Sequence, residues 1–416
     1  MQPKAVTLRD EIMSGESRIT HGLDGSMVEP DWPAITLAEA RQLLALYPCG
    51  EPLRILSLSP RPFSSACVVE LAAGKKLFIK RHHKSLRQPD GLREEHRFLM
   101  HLRAQNLAVP RVIAALDGST VVSFGGWSCE VHQVPDGTDL YADALSWTPF
   151  RTPQHAQALG RFMAKMHLAA EAFSAPKRIA QPLVASFTIF AAADPAQALK
   201  QYFASHPALA ADPEIMRKAQ QAMLLLMPFH AELRPHLAHL PALWTHNDLH
   251  PSNLFWSSSA ADAEVSAAID FGLADRTIAI HDIAHAIERS IIAWLDLPAG
   301  HESTAQIAVD FSALNAMLEG YNAARPLSVA ELASLPAVVA LAHFEFALSE
   351  AEYFSSVLHS QAKTELAIDG YLLGHARWLC GSAGQRFLSH LRTWCARQSS
   401  LDCGNTESQL VPQEVA

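Results

Sequence analysis

The spacing of apolar and polar positions changes character along the chain. From Leu53 to Val134 the apolar residues come in short β-prone runs, Leu53 to Ser59, Cys67 to Leu71, Lys76 to Ile79, Thr120 to Phe124 and Cys129 to Val134. Pro, Gly and Ser turns separate them, which predicts a small antiparallel sheet. Ahead of it, Thr36 followed by Glu39 fits a capping box that opens a helix carrying Leu37, Leu43, Leu44 and Leu46. One further helix is expected between Gly91 and Asn106, where Leu92, Leu99 and Leu102 recur at helical spacing. Glu95 shares that apolar stripe, and a carboxylate on an inward face needs a cation. From about Asp136 the pattern becomes long-period helical, as in Leu159, Phe162, Met163 and Met166. The expected class is therefore α+β. Its expected organisation is a flexible arm over 1–35, a sheet unit over 36–135, a mainly helical unit over 136–397 and a disordered polar tail over 398–416.

Composition narrows the possible partners. The 416 residues carry 33 basic and 42 acidic side chains, a net charge of −9, the wrong sign for a protein whose partner is a nucleic acid. No run of eighteen apolar residues escapes interruption by a charge or His, so no membrane span is expected. The start, MQPKAVTLRDEIM, lacks an apolar signal core, and the six cysteines form no C-x-x-C pair. The expected location is the cytoplasm. One local excess of base, Lys80, Arg81, His82, His83, Lys84 and Arg87, reads either as a solvated strand edge or as a phosphate-facing surface.

The chemistry is concentrated in two short segments. His246 to Asn253 reads HNDLHPSN, and Ile269-Asp270-Phe271-Gly272 ends a later β-type run. The spacing H-x-D-x-x-x-x-N followed by D-F-G is that of a phosphoryl-transfer loop and its metal-binding turn. Asp248 takes the position of the base, where a carboxylate can orient a hydroxyl and accept its proton. Asn253 and Asp270 offer the hard oxygen ligands that Mg²⁺ prefers. Upstream, Lys80 ends an apolar strand and can hold the phosphates of ATP, with the inward Glu95 fixing its ammonium. His246 reads as a brace for the loop. His250 is either a phosphate-side helper or solvent-facing.

On these residues the chain resembles the aminoglycoside phosphotransferase and choline kinase family, from about Thr36 to about Arg397. Matches include Lys80, Glu95, Val109-Pro110, Leu159-Gly160 to Met166-His167, His246 to Asn253, Ile269 to Gly272 and His281-Asp282-Ile283-Ala284. The resemblance implies a protein-kinase-like two-lobe fold with a hinge near Glu130 to Pro135, and ATP- and Mg²⁺-dependent phosphorylation of a small-molecule hydroxyl. Amino alcohols, aminoglycosides, sugars and homoserine-like compounds all fit as acceptors. Only twelve positions separate Asp270 from Asp282, leaving no room for the activation loop on which a kinase docks a protein.

One departure is the segment expected over the phosphates, Ser59 to Ala66, which has no glycine. Ser64 and Ser65 are its candidate hydrogen-bond donors to phosphate. Glu345, Glu350 and Tyr353, within Leu341 to Phe354, read either as the wall of a pocket for a cationic alcohol or as part of an ordinary packed helix. Two other functional classes remain open. His281, Asp282 and His285 resemble the metal signature of a phosphohydrolase, and a non-catalytic ATP-binding module would have the same fold.

Overall fold

A computed structural model describes residues 20–21, 27–59, 63–72, 74–142, 144–179 and 181–407. The first helix, α1 (Leu37–Leu44), starts at the expected capping box. The Glu39 carboxylate accepts from the Thr36 amide at 2.8 Å, and the Thr36 hydroxyl accepts from the Glu39 amide at 3.2 Å. Strands β1 (Pro52–Leu58), β2 (Ser65–Leu71) and β3 (Lys76–His83) form a meander. Helix α2 (Pro89–Ala104) then leads to β4 (Arg111–Val112), β5 (Val122–Phe124) and β6 (Trp127–Gln133). All neighbours are antiparallel in the order β1-β2-β3-β6-β4, with β5 also on β6. Helix α1 and the alternate residues Cys67, Val69, Leu77, Ile79, Cys129 and Val131 enclose a separate small core.

Strand β3 runs four residues beyond the expected end at Ile79, because β6 pairs with it as far as His83. The first four residues of the basic run, Lys80 to His83, therefore lie inside the sheet. Arg81 reaches Glu39 at 2.9 Å and lies over the Trp127 ring at 4.4 Å, and Lys80, Arg81 and His82 are all buried.

The remainder is mainly helical, as expected. Helices α3 (Pro153–Ala170) and α4 (Pro213–Leu233) precede two small ribbons. In these, β7 (Ala242–Thr245) pairs with β10 (Asp275–Ile278), and β8 (Leu254–Trp256) with β9 (Val265–Ala268). Then come α5 (Ala279–Ile291), α6 (Phe311–Ala324), α7 (Val329–Leu341), α8 (His343–Glu352) and α9 (Ser382–Glu407). The run Val329–Val357 is long and apolar enough to cross a bilayer, but 94% of its most apolar window is buried inside this lobe.

Two expectations about the ends change. Residues 1–19 and 22–26 of the arm lie outside the described residues, but its last part is docked. The Asp31 carboxylate accepts from the Tyr353 hydroxyl at 3.0 Å and from Lys363. The Trp32 indole N–H lies 3.1 Å from both the Phe63 carbonyl and the Tyr353 hydroxyl, and its ring stacks on His83. A two-faced aromatic with one donor has partners here in both lobes. At the other end, α9 continues past Gln398, the expected start of a disordered tail. Gln398 accepts from Asn322 at 3.3 Å, and the Ser399 and Ser400 hydroxyls bond back to the preceding turn. Residues 408–416 lie outside the described residues.

Helices α3 and α6 cross at two glycines. A Cβ at Gly160 would run into the Met317 carbonyl oxygen, and one at Gly320 into the Gln157 carbonyl oxygen. Backbone cannot retreat as a side chain can, so Gly320→Ala is expected to cost about 1–3 kcal/mol. A lowered urea midpoint at unchanged slope is the measurement that checks it.

Candidate active site

The loop His246–Asn253 leaves β7 and returns as β8, so both of its ends are held by ribbon pairing. Its centre is fixed from behind by Asp282, near the start of α5. This buried carboxylate accepts from the His246 amide at 3.0 Å, the Asn247 amide at 2.8 Å and His167 Nε2 at 3.0 Å. Burial pushes the Asp282 carboxyl up, but the His167 hydrogen bond and charge and the loop amide hold it below its ordinary value. Asn247 sits at φ +61°, a left-handed conformation that Asn tolerates better than most residues. Its side chain accepts from Thr245 at 2.9 Å and donates to the Ala185 carbonyl at 3.2 Å. His246 is a brace: Nε2 meets the Ile269 carbonyl at 2.9 Å and Nδ1 accepts from the Asp248 amide at 3.1 Å.

Asp248, Asn253 and Asp270 come together on this frame. The Asn253 amide group donates to the Asp248 backbone carbonyl at 2.9 Å and to its carboxylate at 3.0 Å, leaving the amide oxygen unspent. Asp270 stands at φ +60° at the head of the Phe-Gly turn and accepts from Lys80 Nζ at 2.8 Å. Burial works against its charge, yet the Lys80 ammonium prevails and holds the carboxyl at about 2. Glu95 does not take the expected place beside Lys80. It faces Arg178 at 3.7 Å and acts on Lys80 only through its field. Arg178 also donates to the carbonyls of Gly272 at 2.9 Å and Gly91 at 2.8 Å, tying α2 to the Asp-Phe-Gly turn.

Two cavities flank these residues. One, of about 190 Å³, is lined by Val68, Phe78 and Leu99 on one side and by Phe255 and Ile269 on the other, with Gln133 to Pro135 at its edge. The second, of about 150 Å³, is lined by Asp248, His250, Arg289, Trp147, Phe346 and Glu350. The lining residues common to both are Lys80, Asn253 and Asp270. Of the two candidate hydrogen-bond donors to phosphate, Ser64 lines the second cavity. Ser65 lines neither, because it opens β2 and its hydroxyl is buried. Residues 60–62 of that segment lie outside the described residues.

Arg289 is the residue the sequence reading missed. Its Nη1 lies 3.3 Å from the Asp248 carboxylate and bonds the Asn247 carbonyl, while Nε and Nη2 are buried without a hydrogen-bond partner. The usable signal was its spacing: seven residues after Asp282, it shares that residue's helix face. Within Leu341 to Phe354 the three candidates separate. Glu345 is consumed by the amides of Thr188 and Ile189, and Tyr353 by Asp31 and Trp32. Glu350 lines the second cavity with Oε2 buried and unpartnered. Burial raises its carboxyl to about 8, with Arg289 opposing and Glu288 and Asp248 reinforcing.

The phosphohydrolase reading fails on the same geometry. Asp282 is committed to the loop, and His281 and His285 are buried on Asn247 and Glu288.

A strand lysine, an H-x-D-x-x-x-x-N loop and a D-F-G turn converging between a small sheet and a helical lobe define a protein-kinase-like fold. The chain belongs to the phosphotransferase enzyme family, whose pattern it matches over residues 63–327. It is 28% identical over 257 residues to a homoserine kinase of Azorhizobium caulinodans, covering 60% of this chain and 66% of that one, slightly under two thirds of the relative's length. A homoserine kinase of Acidiphilium cryptum is likewise 28% identical, over 255 residues and the same shares. Among solved structures, a microcompartment-associated aminopropanol kinase superposes with a TM-score of 0.55 at 21% identity, over 86% of this chain and 99% of that one. An amicoumacin kinase in complex with AMP-PNP and Ca²⁺ gives 0.53 at 15%, over 83% and 95%. These likenesses support the fold.

Two outcomes follow from the buried carboxylates. Asp282→Asn keeps the shape but weakens the acceptor for two amides and His167, and should cost about 1–3 kcal/mol in urea unfolding. Between the ordinary carboxyl value and about 8, the unfolded chain has released the Glu350 proton while the folded chain retains it. Stability therefore falls as pH rises through that window. Glu350→Gln should raise the melting temperature at pH 8 and leave it nearly unchanged at pH 5, in paired thermal scans.

Proposed function

We propose that this protein transfers the γ-phosphoryl group of ATP, in the presence of Mg²⁺, to the hydroxyl of a small alcohol that also bears an amine. The observation that carries this reading is the meeting of the two cavities at Lys80, Asn253 and Asp270, with Asp248 on the acceptor side of the junction. The first cavity suits the nucleotide: flat apolar walls for the base, and Lys80 for the phosphates. The unspent oxygen of Asn253 and the carboxylate of Asp270 form a hard-oxygen pair that fits Mg²⁺. When bound there, the metal supplies neutralising charge to the phosphates.

The chain's own part is positioning and proton transfer. Asp248, held by Asn253 and Arg289, accepts a hydrogen bond from the acceptor hydroxyl and takes its proton as the new O–P bond forms. The bond from Pγ to the bridging oxygen breaks, and ADP leaves with that electron pair. Lys80 neutralises charge on the phosphate side.

Glu350 supports the choice of an amine-bearing acceptor. The Glu350 carboxyl, which keeps its proton up to about pH 8, is drawn into its ionised form by an ammonium ion arriving beside it, and that ion also gains from the faces of Trp147 and Phe346 in the same cavity. The unpartnered Nη2 of Arg289 suits a carboxylate on the same molecule. The relatives' name is in keeping, since homoserine carries both groups beside its hydroxyl. The cytoplasm, where ATP is available, remains the location assigned by this reading.

For Asp248→Asn, phosphate transfer is expected to fall about 10²–10⁴-fold while the thermal shift produced by Mg²⁺-ATP persists. Equal turnover would remove Asp248 as the base. Glu350→Gln should raise KM for an amino alcohol at least tenfold without changing KM for ATP. A coupled ADP-release assay over homoserine, aminopropanol and their amine-free counterparts measures this.

A further inference from the structure

Behind the nucleotide cavity lies a group of side chains that the phosphotransfer reading does not use. The Glu130 carboxylate, on β6, is met by three imidazoles. His82 Nε2 of β3 is 3.0 Å from Oε1, while His96 Nε2 of α2 and His132 Nε2 of β6 are 2.7 and 3.1 Å from Oε2. All four residues are buried, and Glu130 and His132 line the cavity. One ligand atom from each of His96, Glu130 and His132 fits within a 4.8 Å span.

We propose that His96, His132 and Glu130 form a binding site for a zinc-like divalent transition metal, separate from the Asn253–Asp270 pair, with a water molecule from the adjoining cavity as the fourth ligand. Two imidazoles and one carboxylate form a nitrogen-rich donor set that suits Zn²⁺ or Co²⁺ over Mg²⁺. Ligand atoms about 2.0–2.1 Å from a tetrahedral ion lie about 3.3 Å from one another. The contacts of His96 and His132 with Glu130, at 2.7 and 3.1 Å, open slightly to admit one, and the three donors, within 4.8 Å of one another, draw in around it.

The second observation is an unmet polar atom in the middle of the group. His132 Nε2 is buried and makes no hydrogen bond despite its closeness to Glu130, and His96 Nδ1 is likewise unpartnered. A set of hydrogen bonds alone thus leaves this cluster under-satisfied, whereas a metal takes up the Nε2 lone pair directly.

The supports are held by backbone, since β3 and β6 pair from Leu77–Gln133 to His83–Trp127, and His96 brings α2 against them. Lys80 and Arg87 are cations in the field of Glu130, and Lys80 is paired in turn with Asp270. Glu130 supplies the cluster's own negative charge to the dication. Bound there, it would clamp α2 to the sheet at the back of the nucleotide cavity.

The test uses the full chain, stripped of metal with EDTA and dialysed. Addition of Co²⁺ is expected to give intense visible absorption of tetrahedral cobalt that saturates at one equivalent. Zn²⁺ should abolish this signal and raise the melting temperature by several degrees, and a large excess of Mg²⁺ should do neither. His132→Gln and His96→Gln should each lose the absorption and the zinc-dependent shift while still melting cooperatively. Absence of tetrahedral absorption in the wild type, or its persistence in both variants, overturns the proposal. If the variants do not fold, X-ray absorption of the zinc-loaded wild type decides. A first shell of imidazole and carboxylate supports the site, and a shell containing sulfur or only oxygen overturns it.

Discussion

The contact on which most of this structure depends is the acceptance by one buried carboxylate, Asp282, of two consecutive loop amides and one imidazole. A loop that must present Asp248 and Asn253 to a cavity cannot also satisfy its own backbone by regular pairing. Its amides need an acceptor from elsewhere, and a charged one gives the stronger bond. Everything around Asp282 serves to keep it in place. His167 is delivered by α3, whose depth against α6 is set by Gly160 and Gly320, and its other nitrogen lies 2.7 Å from the Tyr321 hydroxyl of α6. Helix packing thus becomes loop geometry through one imidazole.

The same helix α5 that carries Asp282 brings Arg289 to the other side of the loop, two turns on. One element therefore fixes the backbone of the loop from behind and the charge of Asp248 from in front. The nucleotide side is organised differently. Arg178 and Arg87 both donate to the carbonyl of Gly272, so the turn that carries Asp270 is held by cations bonded to its backbone, and its carboxylate remains available to Lys80.

Much of this was legible in the residues. The capping box at Thr36, the meander, and the loop and turn motifs depend on local spacing, and local spacing survives folding. What was not legible depends on register and on distant partners. The basic run from Lys80 stayed open between a solvated edge and a phosphate-facing surface because nothing in its own sequence shows that β6 would lie alongside it to His83, or that Arg81 would find Glu39 and Trp127. Glu95 was correctly read as inward and in need of a cation, but that cation is Arg178, from a segment without periodicity. The acids of Leu341 to Phe354 were indistinguishable by pattern. Only packing separates Glu345, whose hydrogen bonds are filled, from Glu350, whose Oε2 is not.

The docked segment at Asp31 and Trp32 bears on how the molecule moves. Trp32 holds the Phe63 carbonyl of the sheet lobe and the Tyr353 hydroxyl of the helical lobe with a single N–H, and Asp31 adds Tyr353 and Lys363. Any hinge motion that widens the cleft must stretch this shared donor. Residues ahead of the first helix, which line neither cavity, thus join the two lobes.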